Sequence, residues 1–286
     1  MADEKNPFPG ENNTGHIWDD NIRELDNPVP RWWMVGFWAS IIWWVAYGIL
    51  YPMIPLGEDS TKGVLGWTQI GEYNDGVAEV QAVRAKFEDQ IAGMTPAEIL
   101  ADDGLSGYSV ASARVLFGDN CQACHGAGGQ GGPGYPVLAD DDWLYGGTID
   151  AITQTITNGR QGVMIAHAAT LSEQEIDTLA QYTVDLSQGK ANEAGAELYQ
   201  TKGCFACHGP DAKGIQIMGS ANLTDAIWRF NEDDKLASAK YTIKHGVNAA
   251  NDPMSREAVM PAFNARLSEN DIKKLAVYVH KLGGGQ

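Results

Sequence analysis

All four cysteines of this 286-residue chain lie in two Cys-x-x-Cys pairs, and each pair is followed at once by histidine: Cys121, Cys124 and His125, then Cys204, Cys207 and His208. On a helical turn, positions i, i+3 and i+4 share one face. Two thiols and an imidazole therefore leave the backbone on the same side, as covalent attachment of a c-type haem requires: two thioether bonds to the vinyl groups and an axial nitrogen on the iron. A single Cys-x-x-Cys is ambiguous between zinc, a redox dithiol and haem. A zinc site would need the two pairs to converge on one tetrahedron, whereas here each pair has its own histidine. With no cysteine left over, a disulfide-stapled scaffold is a poor reading. The pattern predicts two covalently bound haem c groups, with His125 and His208 as the proximal ligands.

Beyond about residue 108 the chain repeats itself. Leu138, Asp140 and Trp143 answer Leu223, Asp225 and Trp228, and Gly159 answers Gly246. Leu171-Ser172-Glu173 answers Leu267-Ser268-Glu269. The offset grows from 83 at the cysteines to 96 at the last helix, so the second copy carries an insertion between Gly246 and Met260. Two copies are too few for a solenoid; they read as two small helical domains, 108–190 and 191–286. Helices Val110–Phe117 and Ala194–Tyr199 lead into the two motifs. Ser172 and Ser268 are N-cap candidates for the last helix of each copy; Glu175 completes a capping box in the first, and Asp271 holds that place in the second.

An electron-transfer haem needs a second axial ligand, and a methionine thioether beside histidine favours the reduced iron. Met164 is the candidate in the first copy. In the second, Met260 stands before the last helix as Met164 does, with Met218 next and Met254 behind it; methionine is otherwise most often core filler. His16, His167, His245 and His280 read as solvent-facing or hydrogen-bonded rather than as ligands. Gly126–Gly131 satisfies G-x-G-x-x-G, but no strand precedes it and Pro133 blocks a following helix, so it reads as a loop close to haem rather than a dinucleotide site.

From Trp32 to Ile54 run 23 uncharged residues holding five of the nine tryptophans. Such a run is long enough to cross a hydrocarbon core of about 30 Å, with aromatic anchors near its ends. Residues 1–31 hold three Lys/Arg against seven Asp/Glu, so the basic front of a cleaved signal peptide is missing. Lys5, Arg23 and Arg31 precede the span and only Lys62 follows closely, which places 1–31 in the cytoplasm. Haem attachment on the outer side of the bacterial cytoplasmic membrane agrees, putting the haem domains in the periplasm. Residues 55–107 read as a linker carrying a short amphipathic helix and a second helix start at Thr95-Pro96-Ala97-Glu98. The net charge of −17 and pI near 4.6 disfavour nucleic acid and suit a basic partner. The fold expected is mainly α: one N-terminal transmembrane helix, in contact with membrane lipid, then two tandem class I cytochrome c-like domains.

The stretch His16, Trp18 and Asp19, then Glu24 to Trp33 (ELDNPVPRWW), with Tyr51-Pro52 closing the span, resembles one family: the dihaem subunit III of cbb(3)-type cytochrome c oxidases. Two haem domains behind a single anchor complete that resemblance. It implies a relay from a donor cytochrome c through two haems to a monohaem cytochrome subunit and the catalytic haem–copper subunit. It carries Cys121, Cys124 and His125 to one haem, Cys204, Cys207 and His208 to the other, and matches Met164 and Met260 to the distal positions. It also permits a crossed arrangement, in which the methionine of one domain serves the haem of the other. A free-standing anchored dihaem carrier and a dihaem peroxidase are the rival classes. The chain has no multi-span bundle and no histidine pairs at helical spacing for a haem–copper centre, so oxygen chemistry is not expected on it alone.

Overall fold

The computed structural model describes residue 8 and residues 10–19, 21–230 and 232–286, which fall into two compact units divided after Val83. In the first, β1 (Asn13–Trp18) pairs antiparallel with β2 (Ile22–Leu25), Ile17 facing Arg23 and Trp18 facing Ile22. Asp19 at the turn has φ 49°, the left-handed region that Asp and Asn tolerate better than other side chains.

Helix α1 (Arg31–Leu50) follows Pro30. None of its residues is buried, and Trp32, Val35 and Trp43 are 75%, 69% and 72% exposed. A cylinder apolar on every face requires an apolar surrounding, and 20 residues at about 1.5 Å each match a hydrocarbon core of about 30 Å. The apolar run continues to Ile54, but the helix stops four residues short of it. Pro52 disfavours helical geometry in the residue before it, and Tyr51 is extended (φ −118°, ψ 158°). A tight turn through Gly57 (φ 75°) then joins β3 (Pro55–Leu56) to β4 (Asp59–Ser60).

α2 (Gln69–Ala92) is followed by α3 (Pro96–Ala101), α4 (Asp103–Asn120), the single turn α5 (Gln122–His125), α6 (Ile149–Asn158) and β5 (Arg160–Gln161). Next come α7 (Glu173–Ser187), α8 (Glu193–Thr201), the single turn α9 (Phe205–His208), α10 (Lys235–His245), β6 (Val259–Met260) and α11 (Glu269–His280). The capping boxes at Thr95/Glu98 and Ser172/Glu175 are both formed, and the Ser268 side chain accepts from the Asp271 N–H. The stretch 55–107 is more than a spacer, because from Arg84 onward it builds core: Ile91 and Ile99 are fully buried.

Two apolar cores lie within the second unit. The first gathers Ile91, Ile99, Leu105, Phe117, Ile152 and Leu275; the second gathers Leu171, Ile176, Leu179, Tyr199 and Ala212. Their membership does not follow the order of the repeats. The last helix of the second repeat, α11, packs on α4 and α6, with Phe117 and Tyr278 rings 5.1 Å apart. The last helix of the first repeat, α7, packs on α8 and α10. Each repeat completes the other's core.

Charge fixes α11 in place. Lys274, 6% exposed, pairs with Glu88 at 2.7 Å and Asp271 at 2.9 Å, and Glu88 also accepts from Tyr108 at 2.6 Å and from Asn270 at 3.0 Å. Burial alone would raise the Glu88 pKa, but the hydrogen bonds from Lys274, Tyr108 and Asn270 outweigh it and hold the carboxyl below its usual range. A depressed folded-state pKa contributes stability above the unfolded value of about 4.3, lost as pH falls through the folded one. Glu88→Ala is expected to cost about 2 kcal/mol at pH 7. Chemical denaturation at pH 7 and pH 3 checks this: the gap between wild type and variant should shrink in acid.

Candidate functional site: two haem-binding turns

α5 and α9 are each one helical turn. The His125 N–H donates to the Cys121 carbonyl and the His208 N–H to the Cys204 carbonyl, both at 3.0 Å. Each cysteine pair and its histidine thus share one face, as their spacing predicts. Cys121 packs with the first core and Cys204 with the second, so the two pairs do not converge on one site. The chain then reverses at Gly126 (φ 76°) and Gly209 (φ 82°) and closes back on each turn, with Gly131 N–H donating to His125 O and Gly214 N–H to His208 O at 2.8 Å. The G-x-G-x-x-G segment is this closing loop, and the next helix begins only at Ile149.

Both imidazoles are locked by the same device. His125 Nδ1 lies 3.0 Å from Pro136 O, and His208 Nδ1 lies 3.0 Å from Ala221 O. A carbonyl only accepts, so Nδ1 carries the hydrogen and Nε2 presents its lone pair, as an iron ligand must. Burial pushes both histidine pKa values down and favours the neutral, ligating form. Burial also pushes the Cys121 thiol up to about 11 and raises Cys204. Redox and nucleophilic cysteines need the opposite shift, which these two thiols do not have.

A cavity of about 590 Å³ is lined by Cys204, Cys207 and His208, by Met164 and Ile165, and by Pro136 and Tyr145 of the first repeat. Its size suits a bound organic cofactor, for which pockets of about 300–1,000 Å³ are usual. The donor set at its wall, two thiols and an imidazole with Nε2 free, fits haem c.

The two methionines sit in equivalent places. Met164 pairs antiparallel with Val247, each N–H donating to the other's carbonyl at 2.9 Å. Met260 in β6 pairs with Arg160 in β5. In each case the partner directly follows the glycine that ends a helix of the other repeat, and that glycine makes the approach possible. A Cβ at Gly246 (φ 71°) would lie 2.3 Å from Met164 O, and one at Gly159 (φ 69°) 2.4 Å from Met260 O. The sequence aligned these glycines without showing what they do. Met164 therefore faces the cavity of the second pair, whereas Met260 packs against the core that contains Cys121.

Met218, on a 3-10 turn (Gln216–Met218), also lines the cavity and is 47% exposed; Met254 is exposed, its carbonyl accepting from Tyr241 at 2.7 Å. His245 bonds Asp252 at 3.0 Å, His280 lies 3.2 Å from Gln286 O, and His16 is exposed near Glu24. His167 lines the cavity with Nδ1 3.5 Å from Thr170 Oγ1. Sequence reading missed the Pro136 and Ala221 carbonyls, which carry no side-chain signal, and a half-buried arginine, Arg229, at the cavity wall.

A membrane-length apolar helix ahead of two such turns defines a two-haem c-type cytochrome. Comparison with known proteins narrows the class. Residues 10–58 match the N-terminal domain of cytochrome oxidase-cbb3, FixP, residues 109–182 match cytochrome c oxidase, cbb3-type, subunit III, and residues 192–283 match cytochrome c. The chain is 42% identical over 290 residues to the cbb3-type cytochrome c oxidase subunit FixP of Azorhizobium caulinodans, covering 97% of this chain and 94% of that one. It is 39% identical over 303 residues to the FixP subunit of a Bradyrhizobium species, covering all of both chains. It is 40% identical over 304 residues to the CcoP subunit of an Azospirillum species, covering 99% of this chain and 98% of that one. The chain belongs to the FixP/CcoP subunit family of cbb3-type cytochrome c oxidases. It is a dihaem electron-transfer subunit carrying two covalently bound c-type haems, and it works as part of the oxidase complex.

Proposed function

We propose that the chain takes electrons from a donor cytochrome c at the periplasmic face and passes them, with the monohaem cytochrome subunit, toward the catalytic haem–copper subunit. The observation that carries this reading is the duplicated site: two attachment turns on one plan, each with a carbonyl-locked histidine, and two methionines held by the same backbone-pairing-and-glycine device, Met260 at the first core and Met164 at the cavity. Cys121, Cys124, His125 and Met260 hold the first haem; Cys204, Cys207, His208 and Met164 hold the second. The haems supply a one-electron iron couple that the thioether biases toward the ferrous form. The protein's part is to fix imidazole orientation through Pro136 and Ala221, to exclude water with the two apolar cores, and to hold both sites in one compact unit.

The excess of Lys and Arg before the span supports a cytoplasmic N-terminus and periplasmic haem domains. The net charge of −17 supports a basic donor, steered over a Debye length of about 8 Å at physiological salt. Membership of the family favours this reading over a free-standing carrier or a peroxidase. Purification in mild detergent tests it: a copper- and haem-containing large subunit should accompany the chain, and its absence would leave the carrier reading. On a denaturing gel the chain should keep its haem stain, and a Cys204→Ala/Cys207→Ala variant should lose about half of it.

A further inference from the structure

The cavity beside Cys204, Cys207 and His208 is lined, among the described residues, by two cationic side chains of the Lys/Arg type, Lys202 and Arg229. Lys202 is committed elsewhere, paired with Glu175 at 2.6 Å. Arg229 is not. Its Nε is sealed from solvent with no hydrogen-bond partner, and its side chain makes no hydrogen bond or ion pair with any described residue. Its backbone is clipped in place, its carbonyl accepting from the Gly134 N–H at 2.9 Å, and its charge also reaches His125. A guanidinium nitrogen sealed from water with no hydrogen-bond partner is costly. Asp142 acts on Arg229 electrostatically, yet no hydrogen bond or ion pair joins the two, and burial, then Asp225 and Asp140, hold Asp142 up at about 6.

Haem brings two propionate carboxylates into a site of this kind, and a guanidinium fork matches a carboxylate in two parallel hydrogen bonds. We infer that Arg229 anchors a propionate of the haem held by Cys204 and Cys207, and that its positive charge raises that haem's reduction potential. The inference rests on the assignment of that haem to this cavity. The sign follows from charge: a cation beside the porphyrin destabilises ferric iron relative to ferrous, and pairing the propionate removes a negative charge that acts the other way.

The test is an optical redox titration of the full chain with both haems loaded. Arg229→Met keeps the aliphatic stem and drops the charge. One of the two titration components should fall until, at the wild-type midpoint, its ferrous-to-ferric ratio is about tenfold lower, or about 59 mV for a one-electron couple. Arg229→Lys should restore most of that shift, which a purely packing role would not require. The component that falls should be the one missing from the Cys204→Ala/Cys207→Ala chain. Unmoved potentials in an Arg229→Met chain that still carries two haems overturn the inference alone, as does a shift in the component that survives loss of Cys204 and Cys207. A Cys204→Ala/Cys207→Ala chain that keeps both components overturns the haem assignment, and the inference with it.

Discussion

In a chain that cannot attach the second haem because Cys204 and Cys207 are alanine, Met260→His should lower the potential of the remaining haem, and Met164→His should leave it where it was. In the complementary chain lacking Cys121 and Cys124 the two substitutions should trade effects. The reason is the crossing of β5 with β6 and of Met164 with Val247, which sets Met260 against the core holding Cys121 and Met164 at the cavity beside Cys204. Imidazole donates more strongly than thioether and stabilises ferric iron, so the shift should be a visible part of the roughly 0.8 V that axial ligands command among haem proteins. Spectroelectrochemistry of the four single-haem variants reads the result. Methionines that act on the haem of their own repeat would refute the crossed assignment, and Met218 would then be the ligand to examine in the second cavity.

The exchange of helices has an equally large consequence for folding. A fragment of residues 84–190 contains the whole first repeat with its cysteine pair, yet it should be unfolded, whereas residues 84–286 should fold. Without α11 the first core loses Ile272, Leu275, Val277 and Val279, all of them buried. At about 1.5–3 kcal/mol for each buried aliphatic side chain, that loss rivals the whole stability of a domain, about 5–15 kcal/mol. The same fragment strands α7, whose partners α8 and α10 are missing. Far-UV circular dichroism and a denaturant titration decide the matter: a cooperative transition from 84–190 alone would show that the repeat is self-sufficient. Supplying 191–286 as a second chain should restore the fold.

Much of this protein was open to sequence reading, and what was hidden shares one cause. Helix starts were legible because capping is local: Ser172 with Glu175 and Thr95 with Glu98 lie three residues apart. The attachment turns were legible for the same reason. The exchange was not, because a helix with an apolar stripe shows that it docks but not on which of two similar cores. Long-range ion pairs accompany the choice. Lys274 and Asn270 on α11 reach back to Glu88, while Glu175 and Asp177 on α7 meet Lys202 and Lys240 of the second repeat. Pairs separated so far in sequence leave no periodic trace. The β1–β2 hairpin escaped notice because two short strands of mixed polarity around an acidic turn show little alternation. Arg229 sits in an irregular stretch where no pattern marks a cation turned toward a cavity.

The interlacing of the repeats also bears on how the protein is made. Synthesis delivers the chain from its N-terminus, and Cys121 emerges roughly 140 residues before Met260, about 7–28 s at ordinary rates of elongation. During that interval the first attachment turn lacks both Met260, the distal ligand proposed for it, and the helix that closes its core. The second turn is better served, since Met164 and α7 precede it in the chain and are waiting when Cys204 appears. The second core is complete once α10 and Val247 follow, roughly 20 residues before α11 begins, so the sites are expected to mature in the reverse of their order in the chain. The site nearer the C-terminus can close first, and the earlier one stays open to the attachment machinery until the last helix arrives. A chain cut short before α11 would carry the first motif intact but never finish the pocket around it.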